Sequence, residues 1–207
     1  AIRNVNVLLR LTTNLLNFER IDIYSSNLYI AEYELNSFMG DLVRSFNSYA
    51  EVKKIDFTYD SNFHFMNVWF DKEKMESILK NIISNALKYT PENGQVQIYA
   101  SENENSWSIE VKDTGIGIPT SEQKKMFKVH FRASNAINSK ITGSGIGMVL
   151  VGQMVKHHKG RITLNSIEQK GTTIKVTFPK GYNHYNKAQI ASSASEQITS
   201  STSEFLD

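Results

Sequence analysis

The chain has no cysteine among its 207 residues. Disulfides, thiolate metal sites and cysteine nucleophiles are therefore excluded, and a cytosolic setting is compatible with the composition. An excess of charge of one sign is also missing: 23 Lys and Arg face 21 Asp and Glu, for a net charge of +2. No strongly basic surface follows, so nucleic acid is not an expected partner. No apolar run approaches the ~20 residues that span a bilayer, and no signal peptide opens the chain. What is present is ordinary for a soluble globular protein, with 40% hydrophobic and 21% charged residues. The length suits one medium domain plus extensions.

The chain opens inside a helical pattern, as expected of a segment cut from a longer protein. Ile2, Val5, Leu8, Leu9, Leu15 and Leu16 recur at three- and four-residue steps, with Phe18 near the end. That apolar side has nothing of its own to bury against, which implies a partner helix or the flank of the domain. A second amphipathic helix carries Leu35, Phe38, Met39, Leu42, Val43 and Phe46 on one face. Ile55, Phe57 and Tyr59 alternate as in a strand, and Val68-Trp69-Phe70 makes a short apolar one. Asp71 is placed to cap the helix expected over Lys72 to Tyr89, which Thr90-Pro91 ends.

That helix has two stripes. Met75, Ile78, Leu79, Ile82, Ile83 and Ala86 are apolar; Asn81, Asn85 and Lys88 stand one above another on a polar face. Glu92-Asn93-Gly94 reads as a turn, and Val96, Ile98, Ala100 and Trp107, Ile109, Val111 alternate as the strands of a hairpin. The second strand runs into Asp113-Thr114-Gly115-Ile116-Gly117-Ile118-Pro119, and a short helix is expected near Ser121 to Phe127. Arg132 to Thr142 has no clear period and reads as a long loop. Gly143-Ser144-Gly145-Ile146-Gly147 opens a helix ending at Gly160, and Arg161–Ser166 and Thr173–Phe178 read as closing strands with Gly171 in their turn. After Pro179 the composition shifts to Ser and Thr, read as a disordered tail. The expected fold is α+β: a two-layer α/β sandwich, a mixed sheet with helices on one face, preceded by an N-terminal helix.

Three local patterns bear on chemistry, each with a plainer reading beside it. An asparagine carbonyl oxygen suits Mg²⁺, and a lysine one turn along can neutralise phosphate; a solvated helix face is the alternative. Asp113, at a strand end before two glycines and a proline, can accept a hydrogen bond from the exocyclic amine of adenine, where guanine presents a carbonyl. A capping aspartate in a tight turn is the alternative. Gly143, Gly145 and Gly147 at a helix start expose backbone amides to an anion; a flexible loop is the alternative. The run is neither a Walker loop nor the dinucleotide fingerprint. The adjacent His157 and His158 read as favourable charge at a helix end or as surface packing, not as a metal pair.

In their order along the chain these patterns resemble the GHKL ATP-binding superfamily and, within it, the sensor histidine kinases. Asn81-Ile-Ile-Ser-Asn85-Ala-Leu-Lys88-Tyr89 resembles the family's asparagine box. Asp113-Thr-Gly115-Ile-Gly117 resembles its first glycine box, and Gly143-Ser-Gly145-Ile-Gly147 its second. Phe127 and Phe131-Arg132 fall where the family has its phenylalanine box, and Gly171-Thr172 matches a final turn. The likeness covers about Tyr24 to Lys180. His130 and Val129 depart from it, standing where an aromatic and a basic residue are common.

The resemblance implies a Bergerat-type fold, ATP and Mg²⁺ as cofactors, and protein-histidine kinase activity. It implies a dimerisation-hairpin remnant over 1–22, an ATP-binding catalytic domain over 23–180 and a linker or tail over 181–207. Asn85 would hold Mg²⁺, Asn81 would contact phosphates or the metal shell, and Lys88 would bind phosphate. Tyr89 would pack near adenine and Asp113 would take its amine. Gly115, Gly117 and Ile118 would border the nucleotide, with Gly117 admitting its close approach. Gly143, Ser144, Gly145, Ile146, Gly147 and Met148 would line the phosphates. Lys128 to Thr142 would be a lid from which Arg132 reaches the γ-phosphate; Asn81, Lys88 and Arg132 are the expected catalytic set.

None of His64, His130, His157, His158 and His184 lies in the context of a phosphoacceptor. The acceptor is therefore expected on dimerisation helices outside this chain. The further expected partners are a second copy and a response regulator receiver domain. The expected location is a cytoplasmic domain of a protein in the inner or cell membrane. A GHKL-type ATPase or a nucleotide-free interaction module is the alternative.

Overall fold

In the computed structural model the described residues are 28–128, 131–138 and 145–190. The expected N-terminal helix, His130, Val129, Gly143, Ser144 and the end of the tail lie outside them. The elements are β1 (Ile30–Glu34), α1 (Leu35–Val52), β2 (Asp56–Ser61), β3 (Asn67–Asp71), α2 (Lys72–Tyr89), β4 (Gln95–Glu102), β5 (Ser106–Asp113), α3 (Thr120–Gln123), α4 (Ser134–Asn138), α5 (Gly147–His157), β6 (Arg161–Ile167) and β7 (Gly171–Pro179). The main sheet has the order β2-β4-β5-β7-β6 and is mixed: β2 runs parallel to β4, and the other pairs are antiparallel.

Alternation builds the core. Val96, Ile98 and Ala100, Trp107, Ile109 and Val111, and Ile174, Val176 and Phe178 turn one face of the sheet inward. Against it pack Leu35, Phe38, Met39 and Leu42 of α1, the apolar stripe of α2, and Val151, Met154 and Val155 of α5. The expected two-layer arrangement is the one observed. A short ladder of β1 and β3 sits apart, Ile30 opposite Asp71 and Glu34 opposite Asn67. β1 has no turn signal before it and is not expected from the sequence. A column of rings joins the small ladder to the large sheet: Tyr33 to Phe70 at 4.9 Å, Phe70 to Trp107 at 5.9 Å and Trp107 to Phe178 at 4.7 Å between centroids.

α2 is held at both ends. At its start Asp71 Oδ1 accepts from the Lys74 amide (3.1 Å), while Oδ2 accepts from the Tyr29 amide (2.9 Å) and from Lys74 Nζ (3.1 Å). Burial alone would raise the Asp71 carboxyl, but these bonds hold it below its ordinary value. At its end Lys53 Nζ donates to the carbonyls of Leu87 (2.7 Å), Lys88 (3.2 Å) and Thr90 (2.8 Å), three acceptors without helical partners.

Three expectations change. His158 is fully buried, not a surface residue. Its Nε2 accepts from the Asp71 amide (3.2 Å), so Nδ1 carries the proton and donates to the Met154 carbonyl (2.8 Å). The stretch expected as one long loop from Arg132 contains α4, too short for a period to register. Residues 181–190, expected in a disordered tail, are folded. Tyr185 is buried, with its hydroxyl 3.4 Å from the Trp69 and His158 carbonyls; Tyr182 stacks on Trp69; Ile190 bridges Ile30. These aromatic and aliphatic groups cover Leu28 and Ile30.

Burial lowers the His158 imidazole to about 4. The unfolded chain takes up this proton near pH 6.5 and the folded chain only near 4. Stability from the neutral ring is thus present above pH 6.5 and lost as pH falls through about 4. Asp71 titrates below this window. The thermal midpoint of wild type is expected to fall by several degrees more between pH 6.5 and 4 than that of His158→Gln. Parallel slopes would remove His158 as the cause.

Candidate nucleotide site

One cleft gathers residues from five places in the chain. α2 contributes Asn81, Asn85, Lys88 and Tyr89, and the loop after β5 contributes Asp113, Ile116, Gly117 and Ile118. The segment around α4 contributes Phe131, Arg132, Ala133, Asn135 and Ala136, and the start of α5 contributes Gly145, Gly147 and Met148. Val111, Thr172 and Ile174 of the sheet make up the rest of its lining, with Ile82, Ala86 and Met126. Of the expected site residues, Gly115 and Ile146 do not line it; Gly143 and Ser144 are outside the described residues. Ile146 is buried in the core, where its carbonyl accepts from the Val149 and Leu150 amides.

The polar stripe of α2 faces this cleft as the spacing requires. The Asn85 side chain makes no hydrogen bond to another described residue, so its amide is available. Asn81 is engaged: Nδ2 donates to the Ser77 carbonyl (2.8 Å), and Oδ1 lies 2.4 Å from where a Cβ on Gly147 would stand. Glycine at 147 thus brings the start of α5 against α2. Lys88 is lowered from its ordinary value by burial and by the Arg132 charge nearby, and its ammonium stands 5.1 Å from the Tyr89 ring centroid. Two cations turned toward one space leave a positive region suited to a polyanion.

On the sheet side of the cleft, Asp113 Oδ1 accepts from the Gly115 amide (2.8 Å) and the Thr172 amide (3.2 Å). Oδ2 has no hydrogen-bond partner among the described residues. Burial raises this carboxyl to about 6, against the lowering effect of the two amides. The loop around Asp113 owes its course to glycines acting away from the cleft. A Cβ on Gly115 would stand 2.6 Å from the Tyr89 carbonyl oxygen, and one on Gly171 would stand 1.9 Å from that of Asp113. Gly117 has φ +61°, and its Cβ would meet the Ile167 carbonyl oxygen at 2.1 Å. Its missing side chain therefore admits the β6–β7 turn, while the residue also lines the cleft.

Several supports of the site carry no signal in the sequence. Ser166 Oγ accepts from the Ile118 amide (2.9 Å) and donates to the Gly171 carbonyl (3.0 Å); Gln123 Nε2 donates to the Ile118 (3.0 Å) and Ser166 (2.8 Å) carbonyls. Asn135 Nδ2 donates to the Gly117 (2.9 Å) and Ile116 (3.3 Å) carbonyls. The Glu122 carboxylate receives the Ser134 amide (2.8 Å) at the start of α4. Phe127 packs against the core, and Phe131 packs with Ile118, Ala133 and Ala136, so the expected phenylalanine pair does not form a single contact set.

The sequence of residues 70–182 matches the family model described as histidine kinase-, DNA gyrase B- and HSP90-like ATPase, and the chain belongs to that family. Within it the likeness is to sensor histidine kinases. Sensor histidine kinase WalK of Bacillus subtilis (strain 168) is 36% identical over 174 residues, 83% of this chain and 28% of that protein. Histidine kinase P4 of Formosa agariphila is 31% identical over 195 residues, 91% of this chain and 14% of that protein. The chain thus spans well under half of either relative. The catalytic domain of histidine kinase ThkA in a nucleotide-free form shares the fold, with a TM-score of 0.65 and 23% identity over 73% of this chain and 97% of that one.

The half-pinned carboxylate has a pH consequence. Because Oδ1 is taken by two N–H groups, a proton on Asp113 sits on Oδ2 and turns the free acceptor into a donor. The affinity for ATP is expected to be flat above pH 6 and to fall as pH drops below about 6; Asp113→Asn is expected to bind more weakly and without this slope. Calorimetry across pH 5 to 8 checks it, and a wild-type affinity unchanged at pH 5 would rule it out.

Proposed function

We propose that the chain is the ATP-binding catalytic domain of a two-component sensor histidine kinase, binding Mg-ATP and transferring its γ-phosphate to a histidine outside this chain. The observation that carries the reading is what the cleft brings together: a carboxylate with one open oxygen and two neighbouring cations, Lys88 and Arg132, line the same space. A nucleotide offers the complement to both, a hydrogen-bond donor on its base and negative charge on its phosphates.

The chain's own residues divide the work. Asp113 accepts the adenine amine, held in orientation by the Gly115 and Thr172 amides. Tyr89 and Ile118 offer apolar surface near the base. Lys88 binds phosphate, and the start of α5 supplies backbone amides through Gly145, Gly147 and Met148. Arg132 offsets charge on the transferring group, whose loose transition state asks for positioning and charge rather than covalent chemistry. No group of three His, Cys, Asp or Glu able to hold a metal occurs among the described residues. The donor set is instead the Asn85 amide oxygen together with phosphate oxygens and water, which fits Mg²⁺ bound with a nucleotide. Bound there, Mg²⁺ would neutralise phosphate charge.

Asn81 separates this reading from hydrolysis. Its amide is bonded to the Ser77 carbonyl and cannot take a proton from water, so a general base for an attacking water is missing at this position. The expected partners are dimerisation helices bearing the acceptor histidine, a second copy in the whole protein, and a response regulator receiver domain. The whole protein is expected at the inner or cell membrane, with this domain on the cytoplasmic side; among the described residues no helix is long and apolar enough to cross a membrane.

Calorimetry with ATP and GTP, with and without Mg²⁺, tests the nucleotide reading. Binding is expected to favour ATP and to depend on Mg²⁺, and Asn85→Ala is expected to lose that dependence. With labelled ATP no stable phosphohistidine is expected on the chain alone, whereas a supplied acceptor-helix protein is labelled and Arg132→Ala slows the labelling by roughly tenfold or more. Phosphohistidine on the chain alone would overturn the placement of the acceptor, and absence of nucleotide binding by folded protein would favour an interaction module.

A further inference from the structure

The segment that carries Arg132 is tied to the turn that follows Asp113, and the tie is one side chain. Asn135, on α4, donates from Nδ2 to the carbonyls of Gly117 (2.9 Å) and Ile116 (3.3 Å), eighteen and nineteen residues earlier in the chain. The amide can be oriented only this way, because the reverse would set Oδ1 against two carbonyl oxygens. The other contacts between α4 and this turn are apolar, Ala133 and Ala136 beside Ile118 and Ile116, and such contacts carry no directional preference.

The cost of this arrangement is visible at the other end of the same amide. Oδ1 is sealed from solvent with no hydrogen-bond partner among the described residues. A residue selected for packing would not strand a carbonyl oxygen in this way, since an apolar side chain of similar volume would fill the space without it. The amide is present for its N–H groups, and those reach two carbonyls flanking the adenine-facing carboxylate. From Ile116 the path to Asp113 is one residue: the Gly115 amide is one of the two groups that fix Oδ1. The sheet side of the turn is anchored separately, by Ser166 on the Ile118 amide and by the Gln169 amide on the Ile116 carbonyl (2.9 Å). The Ile116 amide also donates to the Tyr89 carbonyl on α2 (3.2 Å), and Asn135 is the anchor to the segment that carries Arg132.

We propose that Asn135 is a positioning residue for base recognition, holding the Ile116–Gly117 turn so that Asp113 presents its free oxygen to the adenine amine. The proposal rests on reading the cleft as an ATP site. It is tested on the full chain with ATP, GTP and inorganic tripolyphosphate as ligands, in wild type, Asn135→Leu and Asn135→Asp. Leucine keeps the volume without an orphaned oxygen; aspartate keeps the shape and loses both N–H donors. Both variants are expected to bind ATP roughly three- to tenfold more weakly and to lose part of the preference for ATP over GTP, with tripolyphosphate affinity unchanged.

The base preference is the decisive quantity, because a merely structural role would not move it. Wild-type ATP affinity and base preference in both variants would overturn the proposal. So would an equal loss for tripolyphosphate and ATP, which would place the effect on Arg132 and the phosphates. Should either variant fail to fold, the other carries the comparison. Failure of wild type itself to bind adenine nucleotides would instead overturn the reading of the cleft, and this proposal with it.

Discussion

A carboxylate almost sealed from water, that of Asp71, receives two backbone N–H groups and the Lys74 ammonium, while the backbone of the same residue donates to His158. The site depends on this corner. The carboxylate starts α2, whose polar stripe forms one wall of the cleft, and the His158 bond fixes the end of α5, whose beginning forms another. A buried ion pair is weak evidence for net stability. The value of the corner is geometric, because the Asp71 amide's bond to His158 joins the start of α2 to the end of α5 across 87 residues of sequence. The bulky neighbours at that corner are the stacked rings of Phe70, Trp107 and Phe178.

The cleft itself is assembled by backbone more than by side chains. Asp113 is aimed by the amides of Gly115 and Thr172, its loop is given room by the absent side chains of Gly115, Gly117 and Gly171, and the carbonyls of that loop are held by Gln123 and Asn135. A side-chain carboxylate held this way changes protonation without changing place. That is a useful property in a group whose two oxygens differ, one bonded to two backbone amides and one without a partner among the described residues.

Much of this was legible in the residues. α2 runs over the expected Lys72 to Tyr89 because an aspartate cap, two stripes of opposite character and a Thr-Pro stop all act within one continuous segment. The hairpin of β4 and β5 and the two closing strands followed from alternation for the same reason. Asn81, Asn85, Lys88, Tyr89 and Asp113 share a cleft as their order in the chain implied. What was not legible depends on distant partners. β1 exists by pairing with β3, α4 is five residues docked on the Asp113 loop, and residues 181–190 fold because Leu28, Ile30 and Trp69 are there to be covered. His158 reads as polar until Asp71 and Met154 are placed on its two nitrogens. Gly117 sits in a nucleotide-like motif, yet its positive φ and missing Cβ answer to Ile167.

The bridge between Ile30 and Ile190 has a mechanical meaning. The chain comes in beside the place where it goes out, and the two stretches run in the same direction. Tension applied along the polypeptide from its two sides therefore loads this corner in shear, with Tyr185, Trp69 and the Asp71–His158 bond directly in its line. The C-terminal end of α2 lies about 26 Å further along that helix, at 1.5 Å per residue from Asp71 to Lys88. Force passing from one flanking segment to the other is carried across the foot of α2, and the cleft stands at its far tip, off that line.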